Sequence, residues 1–268
     1  MTMQKKLMSS TSMPLKVVAM VLEGKGGVGK SVSNQAATAA LALDGSRVHV
    51  AESDLTNSTM AMIHGAGQTT LVDADAVDLE GYLYDLAERA AAGEFEHVAL
   101  DTGARDEVNF RPFVAEYSKE IFAKFGMRLC VIRPVTLSHF VQSNVLTFVK
   151  ECKTDEMGVV ILRNLSQGRT VAHFKQWEDT ESTKALLRTP GVELCDLRDA
   201  GVQHSDNATS LGMSLVDAAM ADFSRMGEDE EFARTIVPRP VQLFLQKWLE
   251  RQAISLRAAI FASLGRHE

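Results

Sequence analysis

The sequence has few cysteines, and they do not form a recognisable set. Cys130, Cys152 and Cys195 are odd in number and far apart, and no CxxC pair occurs. A disulfide framework uses an even set of cysteines, and zinc or iron–sulfur sites need closely spaced ligands. The pattern argues against both within one chain, and it predicts three buried thiols.

Long apolar runs are also missing. No stretch approaches the roughly 20 apolar residues of a membrane-spanning helix. The first dozen residues are polar, with Lys5 and Lys6, and lack the apolar core of a signal peptide. We therefore expect residues 1–13 to be a disordered tail on a cytoplasmic protein whose natural start is Met1 or Met13. No linker rich in proline, glycine or serine divides the rest, so residues 14–265 are predicted to form a single domain.

The net charge of −7 is unevenly distributed. From Phe232 to the end there are six basic and two acidic residues, a net +4, so the preceding part carries −11. The acidic total argues against a chain that binds nucleic acid over its whole surface. The basic C-terminal segment, in contrast, would suit an anionic partner such as DNA.

Short apolar segments alternate with helical patterns along most of the chain. The apolar segments are continuous rather than alternating, as in strands buried on both faces of a parallel sheet. The predicted strands are Leu15–Leu22, Arg47–Ala51, His97–Asp101, Arg128–Ile132, Gly158–Leu162 and, with a weaker pattern, Val192–Leu197. The predicted helices are Lys30–Leu43, Leu79–Ala92, Val108–Phe125, Ser138–Cys152 and Val171–Leu187. This order predicts an α/β fold, with a doubly wound, mostly parallel sheet flanked by helices.

A long amphipathic helix is predicted at the C-terminal end, from about Val241 to Leu264. Its apolar residues recur at helical spacing, namely Leu245, Trp248, Leu249, Ala253, Leu256, Ile260 and Leu264. Such a stripe is typical of a helix packed on the sheet or on a second subunit. Two alternatives stay open, a helix that docks a partner and one that lies on a membrane surface, because Lys247, Arg251 and Arg257 flank the stripe.

The strongest motif is a glycine-rich loop between the first predicted strand and the first predicted helix. It reads Glu23-Gly24-Lys25-Gly26-Gly27-Val28-Gly29-Lys30-Ser31 and matches GxxxxGK[ST] in the context expected of a phosphate-binding loop. Glycines let backbone N–H groups converge on phosphate oxygens, and the following helix adds its N-terminal dipole. Lys30 would reach the β- and γ-phosphates, and Ser31 would be a ligand of Mg²⁺. The predicted nucleotide-binding residues of the loop are Gly26, Gly27, Val28, Gly29, Lys30, Ser31 and Val32.

A second lysine, Lys25, makes the motif a deviant Walker A loop. In this feature the sequence resembles the ParA/MinD family of dimeric partitioning and positioning ATPases, which have the P-loop NTPase fold of the SIMIBI type. The resemblance implies an ATPase that uses ATP and Mg²⁺, forms a homodimer on ATP binding and is stimulated by a protein partner. It also implies that Lys25 reaches the partner's nucleotide and that Lys25 and Lys30 are catalytic, since phosphoryl transfer depends on positioning and electrostatics.

Two acidic strand ends match the family in order and spacing. Asp54 follows the second predicted strand, where relatives have the residue that orders the attacking water, although Glu52 and Leu55 replace the residues usual around it. Asp101 ends the third predicted strand as a Walker B acid does, and Gly103 would approach the γ-phosphate. The resemblance thus implies that Asp54 is catalytic and that Ser31, Asp54 and Asp101 form the metal site.

Asn164 ends the fifth predicted strand, where relatives bind adenine through side-chain hydrogen bonds. The residues that follow it, Leu165-Ser166-Gln167, lack the Asn-Lys-x-Asp pattern of GTPases. The resemblance therefore implies a base-binding role for Asn164 and favours ATP over GTP.

Within the family the sequence is most similar to the plasmid-encoded branch that includes the conjugal-transfer protein TraL and the stability protein StbB. The similarity rests on the segment from Met20 to Ser31, on the strand end at Asp101 and on the long C-terminal helix. It implies a role in plasmid conjugal transfer or maintenance. Three alternatives stay open: a partition ATPase that binds non-specific DNA in its ATP form, a MinD-like positioner on a membrane, and an adaptor gated by nucleotide without hydrolysis. A membrane partner is the least expected.

Overall fold

The computed structural model describes residues 15–53, 69–71, 79–103, 107, 110–112, 114–166, 169–221, 223 and 229–265. The strands are β1 (Lys16–Val21), β2 (Val48–Glu52), β3 (Thr69–Leu71), β4 (His97–Asp101), β5 (Met127–Val135), β6 (Met157–Asn164) and β7 (Val192–Leu197). They form a seven-stranded sheet in the order β3-β2-β4-β1-β5-β6-β7. All six neighbouring pairs are parallel, which confirms the predicted fold class.

Helices connect the strands and complete the described chain. The helices before β6 are α1 (Lys30–Leu41), α2 (Leu79–Ala91), α3 (residues 114–125) and α4 (His139–Cys152). Within α3 the chain is π-helical over Tyr117–Phe122 and 3₁₀-helical over Ala123–Phe125. The later helices are α5 (Val171–Glu178), α6 (Glu181–Leu187), α7 (Val202–Ser210), α8 (Leu215–Met220), α9 (Glu230–Ile236) and α10 (Arg239–Ser263).

The six predicted strands are confirmed, but the prediction missed an edge strand, a break within one helix, and helices α7, α8 and α9. The edge strand β3 was not expected, because three residues are too short to show a periodic pattern. The predicted helix Val171–Leu187 is two helices that meet at Thr180. The Thr180 Oγ1 accepts a hydrogen bond from the Thr183 backbone N–H at 3.3 Å and so caps the start of α6.

Helices cover both faces of the sheet, and this explains the continuous apolar strands. Val18 and Met20 of β1 belong to one buried cluster, together with residues of α2, α3, α4 and α5. Val17, Ala19 and Val21 of the same strand belong to the other cluster, together with residues of α1, α8 and α10. The side chains from Val17 to Val21 are therefore removed from water, whichever face they point to.

The C-terminal helix α10 packs on the sheet. Its predicted stripe is buried, including Leu245, Trp248, Leu256 and Ile260. These residues lie in the cluster on the α1 face, so the stripe is covered by protein and does not face a membrane surface. Among the described residues, no helix combines the length and apolar character needed to cross a bilayer.

The three cysteines are buried and free, as predicted. Burial raises the pKa of the Cys130 thiol to about 12. No group of three His, Cys, Asp or Glu side chains suited to holding a metal occurs within the described part of the chain.

Candidate functional site

The glycine-rich loop lies where the sequence predicts it, between the end of β1 and the start of α1 at Lys30. Gly27 and Gly29 have φ values of +71° and +93°, a region that side chains other than glycine rarely adopt. A Cβ atom on Gly29 would also lie only 2.7 Å from the Asn164 Nδ2. Both the positive φ angle and the nearby Asn164 side chain therefore require glycine at position 29.

The two lysines of the loop point to different neighbours. The Lys30 ammonium donates a hydrogen bond to the Lys25 carbonyl oxygen at 3.3 Å, which folds the side chain back over the loop. The Lys25 ammonium donates to the Ser138 Oγ at 3.2 Å, in the connection between β5 and α4. Lys25 is exposed, and Ser31 and Val32 are half-buried in the first turn of α1. The loop thus presents two cations and a helix N-terminus, a combination that attracts anions.

The acidic strand end at Asp101 lies beside the loop. Asp101 is the register partner of Val21 on β1 and of Glu52 on β2, so these strand ends share one edge of the sheet. Asp101 and Glu52 are both buried. The Thr102 Oγ1 donates to the Val21 carbonyl oxygen at 2.6 Å, which fixes the chain directly before Gly103. The predicted catalytic Asp54 lies outside the described residues.

A cavity of about 330 Å³ opens next to the loop. Ligand pockets in proteins commonly have volumes of about 300–1,000 Å³. The loop contributes Gly27, Gly29 and Val32, and the opposite side is formed by Asn164, Ser166, Asp206 and residues 197–201. The cavity lies at the carboxyl ends of β6 and β7, the edge at which parallel α/β sheets bind ligands.

Asn164 fastens the loop to this cavity. The Asn164 Nδ2 donates to the Val28 carbonyl oxygen at 2.8 Å, and the Asn164 Oδ1 accepts from the Ser166 backbone N–H at 2.9 Å. The side chain is buried and lines the cavity. It therefore holds Val28 in place as well as bordering the space where a base would lie.

The connection between β7 and α7 forms the far wall of the cavity, and sequence reasoning missed it. The Asp199 Oδ1 accepts a hydrogen bond from the Gly201 backbone N–H at 2.7 Å. Helix α10 holds the same connection, since the Trp248 Nε1 donates to the Arg198 carbonyl oxygen at 2.9 Å. The Gln252 Oε1 accepts from the Arg198 backbone N–H at 3.0 Å. The sequence did offer one indication of this wall: the sixth predicted strand ends at the same edge of the sheet as the strand that carries Asn164.

A second concavity, which we call the basic cleft, adjoins the cavity and shares Arg198 and Asp199 with it. It measures about 510 Å³ and is lined by four cationic side chains and two aromatic ones, Arg169, Arg198, Lys247, Arg251, Phe244 and Trp248. Arg198, Lys247 and Arg251 are exposed, and none of them forms an ion pair with a described residue. The cleft is a local concentration of positive charge on an acidic protein.

Comparison with known proteins finds likeness only among solved structures. No protein-family model and no curated protein matches the sequence. The MinC:MinD cell division protein complex of Aquifex aeolicus gives 15% identity over 87% of this chain and 94% of that chain, with a TM-score of 0.47. The Cyanothece McdA–ATP complex gives 13% identity over 83% and 96%, with a TM-score of 0.42. The cobyrinic acid a,c-diamide synthase of Mycobacterium smegmatis with ADP and magnesium gives 19% identity over 63% and 83%, with a TM-score of 0.37. Similarity at this level assigns no activity to the chain.

Proposed function

We propose that this chain is an ATP-binding and ATP-hydrolysing switch of the ParA/MinD type, with ATP and Mg²⁺ as its cofactors. The observation that carries the proposal is the continuity of the glycine-rich loop with the adjacent cavity. The loop would hold the phosphates, and the cavity of about 330 Å³ would take the nucleoside. Asn164 stands between the two and, through its bond to Val28, would couple base binding to loop conformation.

The residues of the loop fit a nucleoside triphosphate. Gly27 and Gly29 have positive φ angles, as in loops whose backbone N–H groups bind anions, and a Cβ atom at Gly29 would disturb the packing of Asn164. Lys30 would leave the Lys25 carbonyl, to which it now donates, and neutralise the β- and γ-phosphates. The small energy of one exposed hydrogen bond makes this exchange easy.

The oxygen donors at this edge fit Mg²⁺, which prefers hydroxyl and carboxylate oxygens and retains several waters. Ser31 in the first turn of α1 and Asp101 at the end of β4 would hold the ion, with Asp54 completing the set. A bound Mg²⁺ would neutralise charge that develops on the phosphate oxygens. Asp54 would also orient the water that attacks the γ-phosphate, and Gly103 would let the backbone approach it.

A homodimer is part of the proposal, with Lys25 reaching the nucleotide of the second copy. The Lys25 ammonium is exposed, and among the described residues its hydrogen bond is to the Ser138 hydroxyl, so it is available for such a contact. Leu137 and Phe140 lie beside Ser138 with exposed fractions of 38% and 61%. This apolar rim next to Lys25 is of the kind that a second copy would cover. An activating protein partner would then act on the dimer.

For the biological role, we propose plasmid conjugal transfer or maintenance in the cytoplasm. The support is the likeness of the loop segment and of the Asp101 strand end to the TraL/StbB branch. A ParA-like partition role is the second candidate, and the basic cleft is the observation that favours it.

The nucleotide proposal is tested by substituting Lys30. Lys30→Ala should abolish ATP binding in a fluorescence titration with Mg²⁺, because the phosphate charge loses its nearest cation. Lys175→Ala is the matched control, since Lys175 is an exposed lysine on α5, away from the loop. ATP affinity unchanged in Lys30→Ala would overturn the assignment of the site.

The second candidate is tested with non-specific duplex DNA, titrated at several salt concentrations with ATP and with ADP. Binding through the basic cleft should need ATP and fall steeply with salt, because bound phosphates release counterions. The double variant Lys247→Ala/Arg251→Ala should bind more weakly and show a smaller salt slope. The control Lys150→Ala/Lys175→Ala removes the same charge elsewhere on the surface. Equal binding by all three proteins would remove the cleft from the argument, and no binding in either nucleotide state would favour the conjugation role.

A further inference from the structure

Three buried charged side chains meet at the start of the glycine-rich loop, and we call them the buried ion cluster: Arg133 of β5, Glu23 and Glu107. The Arg133 Nη2 donates to the Glu23 Oε2 at 2.8 Å, and the Arg133 Nη1 donates to the Glu107 Oε1 at 2.8 Å. The side chains of Arg133 and Glu23 are 0% exposed, and that of Glu107 is 7% exposed. One guanidinium therefore binds two carboxylates away from water.

Neighbouring groups hold this cluster on two further sides. The guanidinium carbon lies 4.7 Å from the ring centroid of Phe148. The Asn144 Nδ2 donates to the Glu23 Oε1 at 3.3 Å. Both of these residues belong to α4, the helix that begins next to Ser138, the hydrogen-bond acceptor of Lys25.

Stability alone does not account for such a cluster. Taking three charges out of water carries a large desolvation cost, and apolar residues of similar volume often stabilise a protein as well or better. The cluster also holds two carboxylates against one cation. What it provides is geometry, because the planar guanidinium fixes both carboxylates relative to each other.

The two carboxylates belong to segments that the proposed function places on either side of the γ-phosphate. Glu23 is the first residue of the glycine-rich loop and follows the end of β1. Glu107 follows the strand end that carries Asp101 and Gly103, and its carbonyl oxygen accepts from the Arg111 backbone N–H at 2.9 Å. A shift of either segment must therefore move Arg133 or break one of its two ion pairs.

We propose that Arg133 is a positioning residue that couples the segment after Asp101 to the phosphate loop, so that the chain distinguishes ATP from ADP. This inference rests on the proposed nucleotide site. When the γ-phosphate draws the Gly103 segment inward, Glu107 pulls on Arg133, and Arg133 moves Glu23 at the start of the loop. Through Asn144 and Phe148 the same movement reaches α4 and the surface beside Lys25.

A second arginine offers a matched control. Arg163 of β6 also binds two carboxylates, Glu178 at 2.5 Å and Asp196 at 2.7 Å, and we call this trio the edge ion cluster. Its carboxylates come from α5 and β7, and neither belongs to the phosphate loop or to the segment after Asp101. Glu178→Gln therefore removes an arginine–carboxylate ion pair like that removed by Glu107→Gln, without touching the proposed coupling.

The experiment measures ATP and ADP affinities of the wild type, Glu107→Gln and Glu178→Gln by fluorescence titration with Mg²⁺. Glutamine keeps the shape of the side chain, and thermal unfolding identifies any variant that does not fold. Glu107→Gln should lower the ratio of ATP affinity to ADP affinity about tenfold, a size typical of coupling between sites, and leave ADP affinity unchanged. Glu178→Gln should leave the ratio unchanged. Arg133→Lys, which keeps the charge but not the two-pronged fork, should behave like Glu107→Gln.

The affinity ratios of the variants decide whether the buried ion cluster has the proposed coupling role. An unchanged affinity ratio in Glu107→Gln, or an equal loss in Glu178→Gln, overturns the coupling role while the nucleotide site stands. A parallel loss of ATP and ADP affinity in Glu107→Gln also overturns it, because the cluster would then only support the loop. A wild-type chain that binds neither nucleotide overturns the proposed function itself.

Discussion

The buried ion cluster and the edge ion cluster each pair one arginine with two carboxylates, and the two arginines lie on neighbouring strands, yet their surroundings differ. The arginine side chain is 0% exposed in the first and 11% exposed in the second. In the edge cluster the two carboxylates are 21% and 28% exposed, so water screens their charges. The interaction between the guanidinium and its two carboxylates is therefore expected to be strong in the dry interior and weak at the edge of the sheet.

The largest expected difference between the clusters is in the free energy of unfolding at pH 7. Arg133→Leu leaves two buried carboxylates without a cation and should cost about 3–5 kcal/mol. Arg163→Leu leaves carboxylates that water can reach and should cost about 1–3 kcal/mol, the range for lost hydrogen bonds to charged groups. Urea unfolding of the two variants beside the wild type measures both values. Equal losses would mean that burial does not separate the clusters.

An intermediate effect is expected from pH. Burial is the largest cause that raises the pKa of the Glu23 carboxyl above its usual 4.5, and Arg133 opposes it. A folded pKa above the unfolded one means that the contribution of Glu23 to stability is present below the unfolded pKa and is lost as pH rises through the folded pKa. Removing Arg133 extends this effect, so Arg133→Leu should regain on the order of 1–2 kcal/mol, relative to wild type, between pH 7 and 4.5.

The same urea unfolding, repeated at intermediate pH values, measures this recovery. Arg133→Leu/Glu23→Gln is the control, because it removes the Glu23 carboxylate and should reduce the recovery. Arg163→Leu should show a smaller one. If the free energy of unfolding of Arg133→Leu stays below that of the wild type by the same amount over the whole pH range, the expectation is contradicted.

The smallest expected effect is on thiol reactivity, which compares the burial of strand β5 with that of strand β7. Cys130 lies on the strand of Arg133, is 0% exposed and has a pKa raised to about 12 by burial. Cys195 is 8% exposed and adjoins Asp196 of the edge cluster. Because the thiolate is the reactive form, a thiol reagent should label Cys195 before Cys130 in the native protein. In a Cys152→Ala background, which removes the third thiol, Cys130→Ala and Cys195→Ala assign the two remaining reaction phases. A faster reaction of Cys130 would contradict the comparison.

The sequence predicted most of the sheet because its strands are buried on both faces. Most of the predicted strands stood out as continuous apolar runs, with a weaker pattern at Val192–Leu197, and the glycine-rich loop followed from a motif typical of a phosphate site. The edge strand β3 has three residues, which is too short for a hydrophobic pattern to be recognised in the sequence. The break at Thr180 depends on one hydroxyl that caps a new helix inside an otherwise helical stretch.

The buried ion cluster could not be predicted in this way. Glu23 and Arg133 are 110 residues apart in the sequence, and a charged residue in isolation is most often exposed. Their contact follows from the parallel pairing of β1 with β5, a property of the sheet as a whole. Likewise, the wall of the cavity at residues 197–201 is defined by the position of β7 next to β6 rather than by a motif.

The bond between Trp248 and the Arg198 carbonyl has a practical consequence. The chain contains only two tryptophans, and the other, Trp177, lies in the cluster on the opposite face of the sheet. Trp248 therefore places an intrinsic fluorophore directly against the wall of the cavity. Ligand binding that moves this wall would change the emission of unlabelled protein, and Trp177→Phe would isolate that signal.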